Sequence, residues 1–195
     1  MPAAPEGGVH VDAIRSHGEG MQHLIDDLLD LSRIESGGWV PTPADVDVSA
    51  AAAEAAAPYR DEATRNGTSL QIAVDADAAT LRADPVALRQ ALSNLVENAV
   101  RYTPSGGTIT IFSRREDGGV AVGVRDTGAG IPAEHLPRIF ERFYRVDPAR
   151  SRALGGTGLG LAIVKHLVEA HGGRVRADSQ VGRGTTVAMV FPTEW

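Results

Sequence analysis

Four groups of residues in this 195-residue sequence are suited to chemistry by type and spacing. The first is Asn94, Glu97, Asn98, Arg101 and Tyr102, whose spacings of three and four put them on one face of a helix. A solvated face is the ordinary meaning of such a pattern. Two carboxamides are poor choices for solvation alone, yet they coordinate a hard cation and phosphate oxygens without adding negative charge. The second group is Asp126-Thr-Gly-Ala-Gly-Ile-Pro132, directly after a strand. A carboxylate there accepts only, which suits the exocyclic amine of adenine, and Gly128 and Gly130 let a flat base approach the backbone. Asp-Thr-Gly also describes ordinary turns and the aspartic protease loop. No second copy is present, so a single-chain protease dyad has no support, while a dimeric one stays open.

The third group, Gly155-Gly-Thr-Gly-Leu-Gly160, stands immediately before a helix. Backbone N–H groups freed by glycine, backed by a helix N-terminus, make an anion site. The run lacks the Gly-Lys-Ser/Thr of a P-loop and no strand feeds it as a dinucleotide fingerprint requires, so it is another kind of phosphate loop or a connector. The fourth is the segment from Arg138 to Arg152, where five arginines face two carboxylates, Glu141 and Asp147, for a local charge of +3. Phe140, Phe143 and Tyr144 interleave with them. Between an adenine-sized site and a phosphate loop, such a segment reads as a lid that neutralises a polyphosphate; the plainer alternative is a solvated arginine surface.

The elements that must position these groups follow from periodicity. Ile14, Met21, Leu24, Leu28 and Leu31, widened by Ile25, Leu29 and Ile34, form the stripe of an amphipathic bundle helix that needs a partner helix or a second copy of the chain. Ser36-Gly37-Gly38, then Pro41 and Pro43, stop it, so a linker falls at 37–44. Val46 to Val48 reads as a strand and Ser49 to about Arg65 as an Ala-rich helix capped by Ser49. Strands are expected at Leu70 to Val74 and Thr80 to Ala83. Asp84-Pro85 then starts a helix that runs to about Tyr102. Thr108 to Phe112 and Val120 to Val124 alternate as a hairpin across Glu116 to Gly119. Leu159 to about Ala170 is helical, and Arg174 to Ser179 and Thr185 to Phe191 are the last strands. Mostly antiparallel strands with hairpin connections predict an α+β fold, a two-layer α/β sandwich, rather than a doubly wound parallel sheet.

Composition narrows the classes of function. The chain has no cysteine, which excludes disulfides, thiolate metal sites and cysteine nucleophiles. A net charge of −6 argues against a general nucleic-acid binder. No apolar stretch approaches the roughly 20 residues of a membrane span, and the first residues lack a basic-then-apolar signal layout. Thirteen of the 22 glycines fall between Gly118 and Gly184, where the candidate loops lie.

Taken in order, Asn94-Leu-Val-Glu-Asn98-Ala-Val-Arg-Tyr102, Asp126-Thr-Gly-Ala-Gly130, Phe140-Glu-Arg-Phe143-Tyr-Arg-Val-Asp147, Gly156-Thr-Gly-Leu-Gly160 and Gly182-Arg-Gly-Thr185 resemble the N, G1, F, G2 and G3 boxes of bacterial sensor histidine kinases. The resemblance covers about Asp45 to Pro192 and implies the Bergerat (GHKL) ATP-binding fold. Met21 to Gly37 resembles the end of the dimerisation hairpin, and the wording is nearest to the phosphate-regulon sensor kinases. The resemblance thus implies a leader and hairpin helix over 1–36, a linker over 37–44 and a catalytic domain over 45–195. It implies ATP and Mg²⁺ as cofactors, transfer of the γ-phosphoryl group to a hairpin histidine, and then to a response-regulator aspartate. A homodimer through the hairpin and a cytoplasmic location, in a parent protein commonly anchored in the inner membrane, are implied as well.

Carried over by position, the resemblance has Asn94 and Asn98 contact the phosphates, with Asn98 as the Mg²⁺ ligand. Arg101, usually Lys in the family, reaches the phosphate tail, and Tyr102 stacks beside the adenine. Asp126 accepts from the adenine amine. Gly128, Gly130, Gly156, Gly158 and Gly160 shape the base pocket and lid hinge, with Thr185 from the last box beside them. Arg145, next to Phe143-Tyr144, is the arginine assigned to the γ-phosphate. Glu97 stays ambiguous: related ATPases use a glutamate in this neighbourhood to activate water, so a GHKL ATPase is the alternative, and a nucleotide-binding interaction module without turnover is another. One departure stands out. None of the six histidines has the His-Glu-Leu-Arg-Thr-Pro setting of the acceptor box. His10 and His17 lie too near the hairpin's end, and His135, His166 and His171 suit surface or core roles. Either the acceptor lies on a preceding part of a longer chain or this chain lacks its own.

Overall fold

The computed structural model describes residues 18, 21, 22, 24, 25, 27–29, 31, 32, 38–147 and 156–193. The leader, His10, His17, Ile14, Ile34, Gly37, Arg150, Arg152 and Gly155 lie outside the described residues. The described positions between 18 and 32 are helical (α1). β1 (Ala44–Asp47) leads into α2 (Val48–Ala56), a 3₁₀ turn at Ala57–Tyr59 and α3 (Arg60–Arg65). β2 (Ser69–Val74), a 3₁₀ turn at Ala76–Ala78 and β3 (Thr80–Ala83) precede α4 (Pro85–Tyr102). The hairpin β4 (Thr108–Glu116) and β5 (Gly119–Asp126) is followed by a 3₁₀ turn at Leu136–Arg138, α5 (Gly160–Ala170), β6 (Arg174–Gln180) and β7 (Gly184–Pro192).

The main sheet has the order β2-β4-β5-β7-β6, and only β2 and β4 pair in parallel. β1 and β3 form a separate antiparallel pair. Helices α2, α4 and α5 cover one face, which makes the two-layer α+β sandwich expected from the connections. Along β4, β5 and β7 the inward positions Ile109, Ile111, Val120, Val122, Val124, Met189 and Phe191 are buried, as period-two alternation requires. Leu88, Leu92, Leu95 and Val96 of α4 press onto them, each at most 2% exposed. Each such leucine contributes about 1.5–3 kcal/mol by leaving water. On the opposite face of the sheet Phe112 lies beneath the guanidinium groups of Arg114 and Arg125, 5.4 and 5.7 Å from its ring.

Three local expectations need correction. The cap of α2 is Asp47 and not Ser49: its Oδ1 accepts from Ala50 N–H at 3.0 Å, and Val48, expected to end the strand, opens the helix instead. The Ala-rich helix also does not run unbroken to Arg65. Pro58 lies in the 3₁₀ turn between α2 and α3, as a ring that cannot donate a helical hydrogen bond dictates. The β4–β5 strands extend past their expected ends, leaving Asp117-Gly118 as a two-residue turn with Gly118 at φ +86.

The start of α4 anchors the domain. Asp84 Oδ1 accepts from Val86 and Ala87 N–H at 2.9 and 3.1 Å, with Pro85 at the first helical position. Its Oδ2 accepts from Thr42 N–H at 3.0 Å, which with the packing of Trp39 ties residues 38–43 to the domain. Burial pushes the Asp84 carboxyl up, but these three N–H groups and the nearby His171 outweigh it and hold the carboxyl below its usual range. Asp84 N–H in turn donates to His171 Nε2 at 3.0 Å, so the proton of His171 sits on Nδ1, 2.7 Å from Leu167 O.

Candidate nucleotide site

The C-terminal half of α4, the end of β5, the segment after it and the start of α5 meet around one cavity of about 300 Å³. Asn94, Glu97, Asn98, Arg101 and Tyr102 line it, as their shared helix face predicts. Asp126 enters from β5 and Thr185 from β7, with Gly130, Arg145, Gly156, Gly158 and Gly160 completing the predicted set. Gly128 is the exception: it does not line the cavity, and its N–H donates to Asp126 Oδ1. Leu95, Ala99, Val124, Ile131, Ile139 and Val187 supply apolar wall. Such an apolar slot with a few fixed polar groups is what a flat heterocycle needs.

Asp126 is positioned by strand register and by its own loop. Oδ1 accepts from Gly128 N–H at 2.7 Å and Thr185 N–H at 3.2 Å, which leaves Oδ2 uncommitted among the described residues. Burial raises the carboxyl above the ordinary aspartate range, and the two N–H groups counter only part of that. Gly130, at φ +71, places its backbone against the Gln180 carbonyl, where any side chain would collide. A bulky residue there would displace the loop that carries Asp126.

At the opposite end, the buried Nδ2 of Asn94 has no hydrogen-bond partner among the described residues. An amide left so costs about 1–3 kcal/mol, which a ligand oxygen accepting from it would recover. Gly160, lacking a side chain, brings the N-terminus of α5 beside this carboxamide, with Asn94 Cγ only 3.7 Å from where a Cβ would stand. Asn98 lines the same stretch and offers a neutral oxygen. Among the described residues no group of three or more His, Cys, Asp or Glu side chains could hold a metal by itself. A Mg²⁺ ion here fits only the pattern of one protein oxygen plus phosphate oxygens, which the Asn98 carboxamide meets.

Glu97 and Arg101, one helical turn apart, pair with Arg101 Nη2 2.5 Å from Glu97 Oε1. Beside them the Tyr59 hydroxyl is pushed up to about 12, by burial first and by the negative charge of Glu97 next. The arginine-rich segment is pinned at two points to the glycine loop: Phe143 N–H donates to Gly158 O at 2.9 Å and Arg145 Nη2 to Gly156 O. The first contact holds Phe143 at φ +60 opposite Gly158 at φ +77, whose missing side chain allows the approach. Tyr144 on the cavity wall is gripped from behind by His135, whose Nδ1 lies 2.6 Å from the phenol, and by Arg138 over its ring at 4.3 Å.

Asp27 of α1 and Thr157 also line the cavity, and sequence reasoning missed both as site residues. Asp27 carried no signal, being one of several acids on the polar side of a bundle stripe. Thr157 stands in the glycine loop, whose glycines carry the stronger signal.

Residues 83–194 match the profile of the family described as histidine kinase-, DNA gyrase B-, and HSP90-like ATPase. The chain is 41% identical over 172 residues to the sensor-like histidine kinase SenX3 of Mycolicibacterium smegmatis, covering 87% of this chain and 44% of that protein. It is 43% identical over 173 residues to the phosphate regulon sensor protein PhoR of Pseudomonas aeruginosa, covering 88% of this chain and 38% of that one. Among solved structures, full-length ShkA in complex with AMPPNP superposes with a TM-score of 0.82 at 32% identity, over 98% of this chain and 40% of ShkA. The chain thus spans less than half the length of these curated relatives. With a profile match over more than half its residues, the chain belongs to the histidine kinase-, DNA gyrase B- and HSP90-like ATPase family and carries the catalytic domain of the bacterial sensor histidine kinase type.

Proposed function

We propose that this chain is the catalytic ATP-binding part of a two-component sensor kinase, transferring the γ-phosphoryl group of ATP to a histidine on a helical hairpin and from there to a response-regulator aspartate. On this reading residues 1–36 end the dimerisation hairpin, 37–44 are the linker and 45–195 bind nucleotide. The full-length protein is a homodimer, with this part in the cytoplasm and the parent anchored in the inner membrane. Among the described residues no helix is long and apolar enough to cross a membrane.

The observation that carries the reading is the pair of uncommitted polar atoms at the two ends of one cavity, Asp126 Oδ2 and Asn94 Nδ2. Their chemistry fits an adenine amine at one end and a phosphate oxygen at the other. Tyr102 flanks the base, Asn94 and Arg101 take phosphate oxygens, and Arg145, steadied by Gly156 O, offers its remaining donors to the γ-phosphate. Asn98 would hold Mg²⁺, which when bound neutralises phosphate charge. Phosphoryl transfer asks of a protein mainly such positioning and charge compensation. The acceptor imidazole attacks γ-phosphorus while the bond to the bridging oxygen breaks and ADP leaves.

The test is transfer from labelled ATP to a separately supplied hairpin bearing the acceptor histidine. Acid-labile label is expected on the hairpin and none on this chain alone; stable label on this chain by itself would contradict the reading. The water-activating alternative is weakened by the ion pair, since one Glu97 oxygen already holds Arg101. Steady ATP hydrolysis abolished by Glu97→Gln would restore it. Tight ATP binding without transfer to any hairpin would instead indicate an interaction module.

A further inference from the structure

The glycine loop before α5 is joined to a residue far from it in sequence. Thr157 Oγ1 accepts from Leu159 N–H at 3.2 Å and donates to Asp27 Oδ2 at 2.8 Å. Asp27 comes from α1, 130 residues earlier, and it lines the same cavity as Asn94, Asn98 and Arg145. A carboxylate is the nearest protein analogue of a phosphate oxygen pair: it is anionic, accepts only, and is attracted to hydroxyl and N–H donors at a helix N-terminus. It therefore holds a donor on the loop that a phosphate tail would use, and a second anion placed there meets its charge.

We infer that Asp27 is an internal competitor of the phosphate tail, a carboxylate on the bundle helix that occupies Thr157 and must be displaced when nucleotide binds. The inference rests on the nucleotide reading of the cavity. The described apolar residues of α1 are mostly exposed. Leu31 is 4% exposed, but Met21, Ile25 and Leu29 are 67%, 48% and 52% exposed. The consequence is reciprocal coupling. Nucleotide drives α1 off the loop, and anything that draws α1 away, such as packing of its exposed apolar stripe on another helix, tightens nucleotide binding by the same factor. The bundle helix thereby becomes a regulator of the catalytic cavity through the Asp27–Thr157 contact.

Calorimetric titration of ATP, ADP and adenosine into the wild-type chain, Asp27→Asn, Asp27→Ala and Asp27→Glu tests this. Loss of one charge-assisted contact predicts about tenfold tighter ATP and ADP binding in Asp27→Asn and Asp27→Ala. Adenosine, which has no phosphate, should bind all four equally, and Asp27→Glu should keep the weaker wild-type affinity because it keeps the charge. ATP binding that is unchanged or weaker in Asp27→Asn overturns the inference, as does equal tightening of adenosine. Asp126→Asn run alongside separates the two readings. If it weakens ATP binding while Asp27→Asn does nothing, only the competitor role falls; if ATP binding ignores Asp126, the nucleotide reading itself fails.

Discussion

Asp126→Asn is the substitution that isolates the recognition of the base. The asparagine keeps an oxygen at the Oδ1 position, where Gly128 and Thr185 N–H groups already donate at 2.7 and 3.2 Å, so the loop retains its internal bonds. What changes is the other atom. The uncommitted Oδ2 becomes an NH₂, a donor facing the donor amine of adenine. Losing a hydrogen bond to a charged acceptor costs about 1.5–3 kcal/mol. At 1.4 kcal/mol per decade that is roughly 10- to 150-fold in Kd for ATP. The same atom exchange favours inosine triphosphate, whose base carries an acceptor oxygen where adenine carries the amine. Competition against a fluorescent nucleotide, with ATP and inosine triphosphate on wild type and variant, should show the preference move toward inosine. Equal ATP affinity in the two proteins, with no gain for inosine triphosphate, would refute the placement of the base at Asp126.

Other outcomes follow from the same geometry. Because burial raises the Asp126 carboxyl above its usual range, ATP affinity should begin to fall on acidification at a higher pH than an ordinary aspartate would produce, readable as Kd against pH between about 4 and 7. His171→Ala should lower the unfolding free energy by about 1–3 kcal/mol, read from denaturant melts, since it leaves the buried Asp84 N–H without its acceptor. Burial depresses His171, so the unfolded chain takes up its proton first; that share of stability is complete above the unfolded value near 6.5 and lost as pH falls through the lower folded one, visible in chemical melts across the range. Gly130→Ala places a side chain at φ +71 against the Gln180 carbonyl and should cost stability by at least about 1 kcal/mol and weaken ATP binding together, measured by melting with and without nucleotide. Arg145→Lys should weaken ATP binding more than adenosine binding, because a single ammonium cannot hold Gly156 O and present a planar donor fork to phosphate.

How much of this was legible beforehand depended on whether the signal was local. The start of α4 could be read residue by residue, because Asp84-Pro85 encodes both a cap and a first helical position. The shared face of Asn94, Asn98 and Tyr102 follows from helical periodicity alone, and their arrival at one cavity with Asp126 follows from the order of the boxes. The α2 cap was misplaced because Asp47 and Ser49 are both good caps and only tertiary packing of Val48, fully buried, decides between them. The Ala-rich composition favours a continuous helix to Arg65, but Pro58 breaks it into a 3₁₀ turn. Asp27 at the cavity was beyond reach: a contact spanning 130 residues leaves no mark in spacing.

The charge of the site explains why the arginine segment belongs to it. On α4 the contribution is nearly neutral, since Glu97 and Arg101 cancel and Asn94 and Asn98 are uncharged. Asp126 and Asp27 add negative charge at either end. A polyphosphate entering that cavity needs cations from elsewhere, and the sequence supplies them between Arg138 and Arg145. They are not equivalent. Arg138 is bound to Glu141 at 3.0 Å and stacked on Tyr144, so its charge is spent on holding the cavity wall. Arg145 is anchored by a carbonyl, which orients the guanidinium without neutralising it. Of these two, the arginine held at the cavity by a carbonyl and not by a carboxylate is Arg145, and that difference in partner supports its proposed place at the phosphate end.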